Sequence, residues 1–432
     1  MDRVTNISWR TSNGATLDGF AYEYDAVGSI TSRSHALGDP SQPSPMSQSS
    51  QKTYAYDDLD RLASDGGVAY TCDAAGNRMT RTEVGDTITY TLGVGDRLAS
   101  WTGGAYTHDV AGNVTRIERD GIPTLDLTWN SQYQLVPVST NGVFAESYTY
   151  DALSRRVSTT TLEGTTRHIY DNNWQVIADI DEQGSVIASY TWGEGIDNLL
   201  AVNIGGATYY PLTDVQGTVW GYVDAQNNVV ASWTYDAWGN VLSEYIAPSA
   251  AALASIRYRF QGREWSAATG LINFRMRWYD AETGRWLSKD PIGLYGGLNL
   301  YAFCRNTPIG YIDPQGTAKI GNRRLYGGGA WLTPLAFVPG LVIPMRLTNT
   351  FPEHRHIFFD DGTNIGWGAD GFFCEKDTSD YTMKGGNYND DLMRKAVNNV
   401  KADWSKRKYN GIFHNCQDFV DAVLDEYDKL LR

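Results

Sequence analysis

Cys416 stands where a thiol has chemistry open to it. It follows Asn415 and opens a run in which Phe419, Val420, Val423, Leu424 and Tyr427 recur at helical spacing. Asn415 is a suitable N-cap for that helix and Asp418 falls in its first turn. A cysteine at a helix start meets the positive end of the helix dipole and free N–H groups, which favour the nucleophilic thiolate and can also hold an oxyanion. An imidazole upstream would take the thiol proton. His356 is the first candidate, and His354, two residues away on the same side of a strand, is the alternative. Asn364 or Asp361 would orient that ring. The plainer readings are an inert core thiol, or a Cys374–Cys416 disulfide. A zinc site from His354, His356 and Cys416 lacks a recognised spacing. The thiol chemistry needs no cofactor and no metal.

A second set of chemistry-bearing residues lies earlier. Asp290-Pro291-Ile292-Gly293 and Asp313-Pro314-Gln315-Gly316 both spell tight turns. Their aspartates are 23 residues apart, so only a fold can bring them together.

The elements around Cys416 follow from pattern. The run from His354 predicts a strand over 356–359, a turn at Asp360-Asp361-Gly362 and a return strand over 364–367. Leu392, Met393, Ala396, Val397, Val400 and Trp404 predict an amphipathic helix over 389–405. The basic run from Lys401 to Lys408 reads as that helix's solvated end.

Before residue 317 the chain is repetitive. The phrase aromatic-x-Tyr-Asp-x-x-Gly-x-[Ile/Leu/Val] recurs at Tyr22, Tyr54, Tyr148, His168 and Trp233, with weaker copies at Tyr70, Tyr106 and Leu127. Each copy predicts a strand with one wet and one dry face, an Asp-capped turn whose glycine takes positive φ, and a returning strand. A single hairpin cannot bury its aromatic face, whereas stacked neighbours can.

Composition agrees. The 432 residues include 44 Gly, 27 Tyr and 14 Trp, which suits many turns and half-buried aromatic strands. A net charge of −14 excludes a nucleic-acid surface spread over the whole molecule, and no nucleic-acid partner is expected. Four scattered cysteines exclude a disulfide framework. The polar start, MDRVTNISWR, is no Sec-type signal, and the apolar stretch 330–345 is broken by Pro334, Pro339 and Pro344. Export is therefore expected through a specialised machine or a longer parent chain.

These repeats resemble the YD repeats of Rhs and TccC-type polymorphic toxins. The segment YRFQGREWSAATGLINFRMRWYDAETGRWLSKDPIG, from Tyr258, is similar to the Rhs-associated core. The resemblance implies an all-β antiparallel sheet spiralling into a shell or partial shell over 1–257, a core and autocleavage junction over 258–317, and a C-terminal effector over 318–432. It also implies that Asp290 and Asp313 form an intramolecular aspartic protease that cuts after Thr317. There the family most often carries Leu or another large apolar residue. About 300 residues of repeat are few for enclosing a cargo of 115, so an open sheet is expected. The tail resembles the permuted papain-like group of LRAT and NlpC-superfamily enzymes, in the order His356 on a strand, then Asn415-Cys416-Gln417-Asp418-Phe419 at a helix start. That implies a small α+β domain acting on an amide, ester or thioester of a protein or lipid. Its expected partners are an immunity protein and upstream shell or secretion components. The other functional classes open to the chain are a membrane-permeabilising effector and a scaffold or adhesive protein with an inactive tail.

Overall fold

The computed structural model describes residues 3–11, 14, 16–37, 50–317, 320–321, 357–358, 364–368, 371–373, 397–400 and 429. The chain divides into two compact units, Met1–Val342 and Ile343–Arg432.

The turn phrase governs the first unit. In the copy at Tyr148, the Asp151 carboxylate accepts the N–H groups of Leu153 and Arg155 at 2.9 Å each. Its carbonyl accepts Ser154 N–H, and Ser154 takes φ +64. Asp57, Asp171 and Asp236 repeat the arrangement. The left-handed residue is glycine at positions 28, 76, 112 and 239, but Asp60, Tyr133, Ser154 and Trp174 adopt it too. The aspartate's local hydrogen bonds impose that backbone even where a Cβ opposes it.

Each turn joins two antiparallel strands, and the strands continue as one meander of 23, from Asn6–Arg10 to Val241–Ile246. Every neighbouring pair in the meander is consecutive in sequence, and among the described residues the first strand does not pair with the last, so the sheet is not closed.

The aromatic residue before the aspartate stitches one copy to the copy before it. Tyr56 Oη donates to Ile30 O at 2.8 Å, Tyr150 to Leu135 O at 2.8 Å, Tyr170 to Arg156 O at 2.9 Å and Tyr235 to Val219 O at 3.0 Å. Where tryptophan replaces tyrosine, the indole does the same: Trp129 to Val114 O at 2.6 Å and Trp192 to Val176 O at 2.7 Å. In each case the acceptor lies five residues after the previous copy's turn Asp or Asn. The register of each of these hairpins slips at that aromatic residue. The bulge re-aims the side chain, and the ring's polar tip then satisfies a carbonyl.

Most strands alternate as expected, with Tyr54, Tyr70, Tyr90, Tyr106, Tyr148 and Tyr190 on the buried face. The expectation of one wet face fails for Val219–Val223, buried at all five positions, and nearly so for Val229–Tyr235. The sheet coils until its first strands reach these late ones. Trp9 Nε1 donates to Thr213 O at 3.1 Å, and the Phe20 ring packs 5.7 Å from that of Trp220.

The segment after the last strand packs as a plug of short strands and turns against the inner face. It contains Glu264–Trp265, Ile272–Phe274, Arg277–Asp280 and Arg285–Trp286. Polar anchors tie it to strands and turns far apart in sequence. Arg285 reaches Asn77 at 3.0 Å, Arg119 reaches Asp280 at 2.6 Å, Tyr301 reaches Gly112 O at 2.9 Å, and Tyr279 reaches Trp238 O at 2.8 Å. From residue 257 to 286 the segment carries six arginines and no lysine. Guanidinium groups suit this place because they stack on rings and fork onto carboxylates. Arg78 lies 3.8 Å from the Trp238 ring and Arg259 3.8 Å from that of Trp265.

In the second unit, Ile357–Phe358 pairs antiparallel with Asn364–Gly368, as the pattern predicts, and a third strand, Gly371–Phe373, joins them. Residues 397–400 are helical with Val397 buried, within the helix expected over 389–405.

Candidate functional site

Asp290 and Asp313, 23 residues apart, meet on one atom. Arg277 Nη2 lies 3.0 Å from Asp290 Oδ2 and 3.1 Å from Asp313 Oδ2. Arg277 projects from the strand Arg277–Asp280, is buried, and lies 4.0 Å from the Trp286 ring. Burial lowers its pKa below the ordinary arginine value, against the pull of the two carboxylates. Its Nε donates to Gly316 O.

The two Asp-Pro-x-Gly segments are turns, as their composition predicts, and are built like the repeat turns. Asp290 Oδ1 accepts Ile292 N–H at 3.0 Å, and Asp290 O accepts Gly293 N–H at 2.9 Å. Asp313 Oδ1 accepts Thr317 N–H at 3.0 Å, and its carbonyl accepts Gly316 N–H at 3.1 Å. The second turn is clamped against the plug. Arg275 Nη1 donates to Pro314 O at 2.5 Å, and Met276 N–H to Gln315 O at 3.2 Å.

Glycine is required at two places. Gly316 has φ +67, and a Cβ there would stand 2.5 Å from Phe274 O. A Cβ on Gly296 would stand 2.3 Å from Asp290 Oδ2 and 3.2 Å from Thr317 O. Gly296 thus leaves the space in which the Asp290 carboxylate and the Thr317 carbonyl stand near each other.

Electrostatics separates the aspartate from an ordinary one. Burial pushes the Asp290 carboxyl up to about 6, although Arg277 and the Ile292 N–H pull down; the nearby Asp313 adds to the rise. A carboxyl that keeps its proton to that pH can act as an acid.

The sequence singled out both aspartates and Thr317, and the fold brings them together. It did not single out Arg277 or Gly296. The signal for Arg277 was the run of arginines without lysine in an aromatic-rich segment. Gly296 has no such signal, because its role depends on Asp290 and Thr317 meeting across the fold. Cys416, His354 and His356 lie outside the described residues, as do Asp361 and Cys374. The backbone of Asn364 pairs with Phe358 in the hairpin. Neither Cys72, which is half-buried, nor Cys304, which is buried, is in a disulfide.

A meander of turn-capped hairpins closed over an arginine-rich plug defines this chain as a YD-repeat shell protein. The Teneurin YD-shell family matches residues 20–309, about two thirds of the chain, and the chain belongs to that family. Among curated relatives it is 29% identical over 261 residues to the tRNA3(Ser)-specific nuclease WapA of Bacillus spizizenii, covering 58% of this chain and 11% of that protein. It is 27% identical to the double-stranded DNA deaminase toxin A of Burkholderia cenocepacia over 45% of this chain and 16% of that one. It is 28% identical to the toxin subunit YenC1 of Yersinia entomophaga over 46% and 22% respectively. The chain thus spans between about a tenth and a fifth of these relatives' lengths. The solved structure of TcdB2-TccC3-Cdc42 superposes with a TM-score of 0.59 at 20% identity, over 71% of this chain and 17% of that one, which shows the shared fold.

Proposed function

We propose that this chain is the carrier and junction portion of a delivered toxin, and that it cuts itself between Thr317 and Ala318. The observation that carries this reading is the shared Arg277 nitrogen: it holds two buried carboxylates together, one of which also grips the N–H of Thr317. The toxin role is supported by the relatives, whose names are those of nucleases, a deaminase toxin and a toxin subunit.

The reaction follows the logic of paired carboxylates. Asp313, ionised beside Arg277, takes a proton from water as the water oxygen bonds to the Thr317 carbonyl carbon. Asp290 gives its proton to the carbonyl oxygen. The tetrahedral species then expels the Ala318 nitrogen, which takes the proton held by Asp313, while one hydroxyl proton returns to Asp290; Thr317 ends as a carboxylic acid that ionises to solvent. Intact-mass analysis of purified full-length protein should show a fragment beginning at Ala318, and Asp313→Asn should leave the chain whole. Whole wild-type chain under all conditions would sink the reading.

For the released segment we hold to thiol chemistry: Cys416 as nucleophile, His356 as base with His354 as the alternative, and Asn364 as orienting group. Support comes from the helix-start pattern at Asn415-Cys416 and from the hairpin of Ile357–Phe358 with Asn364–Gly368, whose first strand directly follows His356 in sequence. The substrate would be an amide or acyl ester in a target cell, and an immunity protein would cover Cys416 in the producer. Expression of 318–432 in a bacterial host, as wild type and as Cys416→Ala, tests it. Toxicity that survives Cys416→Ala would move weight to nucleic-acid chemistry of the kind named for the relatives, or to membrane damage.

A further inference from the structure

Between the sheet and the plug lies a small, partly open space that holds about one water-sized sphere. Its walls are unusually cationic. Arg155, Arg156, Arg263 and Arg275 line it, opposed by Asp197 and Glu264. Arg155 is answered outside the lining by Asp151, at 2.7 Å. The rest form one buried network. Asp197 Oδ1 accepts both Arg263 Nη1 at 2.8 Å and Arg275 Nη2 at 2.7 Å. Glu264 accepts both Arg156 and Arg257. Arg257 also forks onto the two oxygens of Asp179 at 2.9 and 2.7 Å.

The network therefore holds Arg156, Arg257, Arg263 and Arg275 against Asp179, Asp197 and Glu264. His168, bonded to Asp179 at 2.6 Å, does not add a carboxylate, and burial together with Arg257 lowers its pKa. Glu146, the next acid along the sheet, is engaged by the hydroxyls of Tyr148 and Ser266 instead of by a cation. One guanidinium charge is left over. A buried cation without a counter-charge is costly, so the fold has reason to recruit one.

Two side chains with unpartnered donors line this space. Arg156 Nε and Asn273 Nδ2 are buried without a hydrogen-bond partner, in residues that are 6% and 2% exposed. Buried donors without acceptors are rare and call for an occupant. Neither donor asks for a metal, and the excess charge asks for more than a neutral water.

We propose that this space is a binding site for one small monovalent anion of halide size. The anion accepts from Asn273 Nδ2 and Arg156 Nε and neutralises the surplus arginine. One of its walls is Arg275, which also holds Pro314, so the site is linked through that side chain to the second turn.

Asn273→Asp provides the test. The Asn273 Oδ1 atom already accepts Arg275 N–H at 3.1 Å, so aspartate keeps that acceptor, replaces the unpartnered amide, and brings the missing charge itself. Full-length protein is melted in chloride and in gluconate at constant ionic strength. The wild type should melt about 2 °C or more higher in chloride, the scale of a stabilisation near 1 kcal/mol. Asn273→Asp should melt at the same temperature in both salts. Crystals soaked in bromide should show an anomalous peak beside Asn273. No chloride dependence in the wild type, undiminished chloride dependence in Asn273→Asp, or a water there instead of bromide would each overturn the proposal. If Asn273→Asp fails to fold, the bromide peak in the wild type decides.

Discussion

The repeat turns and the junction turns are the same turn in two surroundings. Asp109 opens Asp109-Val110-Ala111-Gly112 in the repeat sheet, and Asp290 opens Asp290-Pro291-Ile292-Gly293 in the segment after it. Both spell Asp-x-x-Gly, both place glycine at positive φ, and both carboxylates accept backbone N–H groups two to four residues on. Their acidities diverge. At Asp109 slight burial pushes up, but the side chain and N–H of Asn113 pull further down, and the carboxyl ends below its ordinary value. At Asp290 burial wins and the carboxyl rises to about 6. The lesson is that the turn motif alone makes a cap. Burial gives the same motif an acid's pKa, as it also raises the buried repeat aspartates Asp214 and Asp236; what sets Asp290 apart is its second carboxylate, Asp313, across the shared Arg277.

The widest separation between the two should come from Asp→Asn. At Asp290 the change removes the proton donor, and fragment appearance should slow by roughly 10² to 10⁴-fold. At Asp109 the amide keeps an acceptor for Gly112 and Asn113, so cleavage should proceed as in the wild type, with about 1 kcal/mol of stability lost. Time-resolved intact mass and thermal melts measure both. Equal slowing at the two sites would mean that the junction turn is only a turn.

Next in size is the buried ion network that fixes the plug. Glu264→Gln leaves Arg156 and Arg257 without their shared carboxylate and should cost roughly 3–5 kcal/mol. Arg116→Gln, at the exposed Glu118 and Asp126 pairs, should leave the denaturation midpoint nearly unchanged. Denaturant titration distinguishes them, and comparable losses would argue that the plug is held by its aromatic contacts alone.

pH sharpens the comparison in one direction. A folded carboxyl raised above its ordinary value stabilises most below the ordinary carboxyl range and loses that contribution as pH rises through about 6. For Asp290 the raised value corresponds to roughly 3 kcal/mol. Cleavage that uses its proton should decline over the same range. The repeat aspartates Asp57, Asp73 and Asp109, with lowered values, contribute in the opposite sense, losing stability only in acid. A cleavage rate that is flat from pH 5 to pH 8 would remove Asp290 from the acid role.

Much of this was legible in the chain, because the repeat is local. Turn chemistry, strand alternation and the Asp-x-x-Gly spacing are written within nine residues, and so the sheet and the hairpin near His356 could be read directly, whereas the sheet's open ends came through the resemblance. The pairing of Asp290 with Asp313 came only through resemblance, since nothing within either turn points to the other. Arg277 and Gly296 escaped because their roles exist only once strand, turn and plug are superposed. The burial of Val219–Val223 on both faces escaped for the same reason: a strand cannot announce that the sheet will coil back over it.

The smallest effect tests the repeat itself. Tyr150→Phe removes the hydroxyl that donates to Leu135 O and leaves that carbonyl without this donor at a half-buried bulge. The expected loss is about 1 kcal/mol, the net worth of one hydrogen bond. If the stitch is a property of the copy and not of its address, Tyr170→Phe should lose a similar amount; its acceptor Arg156 stands directly opposite Tyr150, so the double variant, set against the sum of the two losses, measures the coupling between neighbouring copies. A loss well above the sum would show that neighbouring copies melt as one cooperative block. The sheet's stability would then reside in the run of stitches, as it does in stacked repeats whose interfaces outweigh their units.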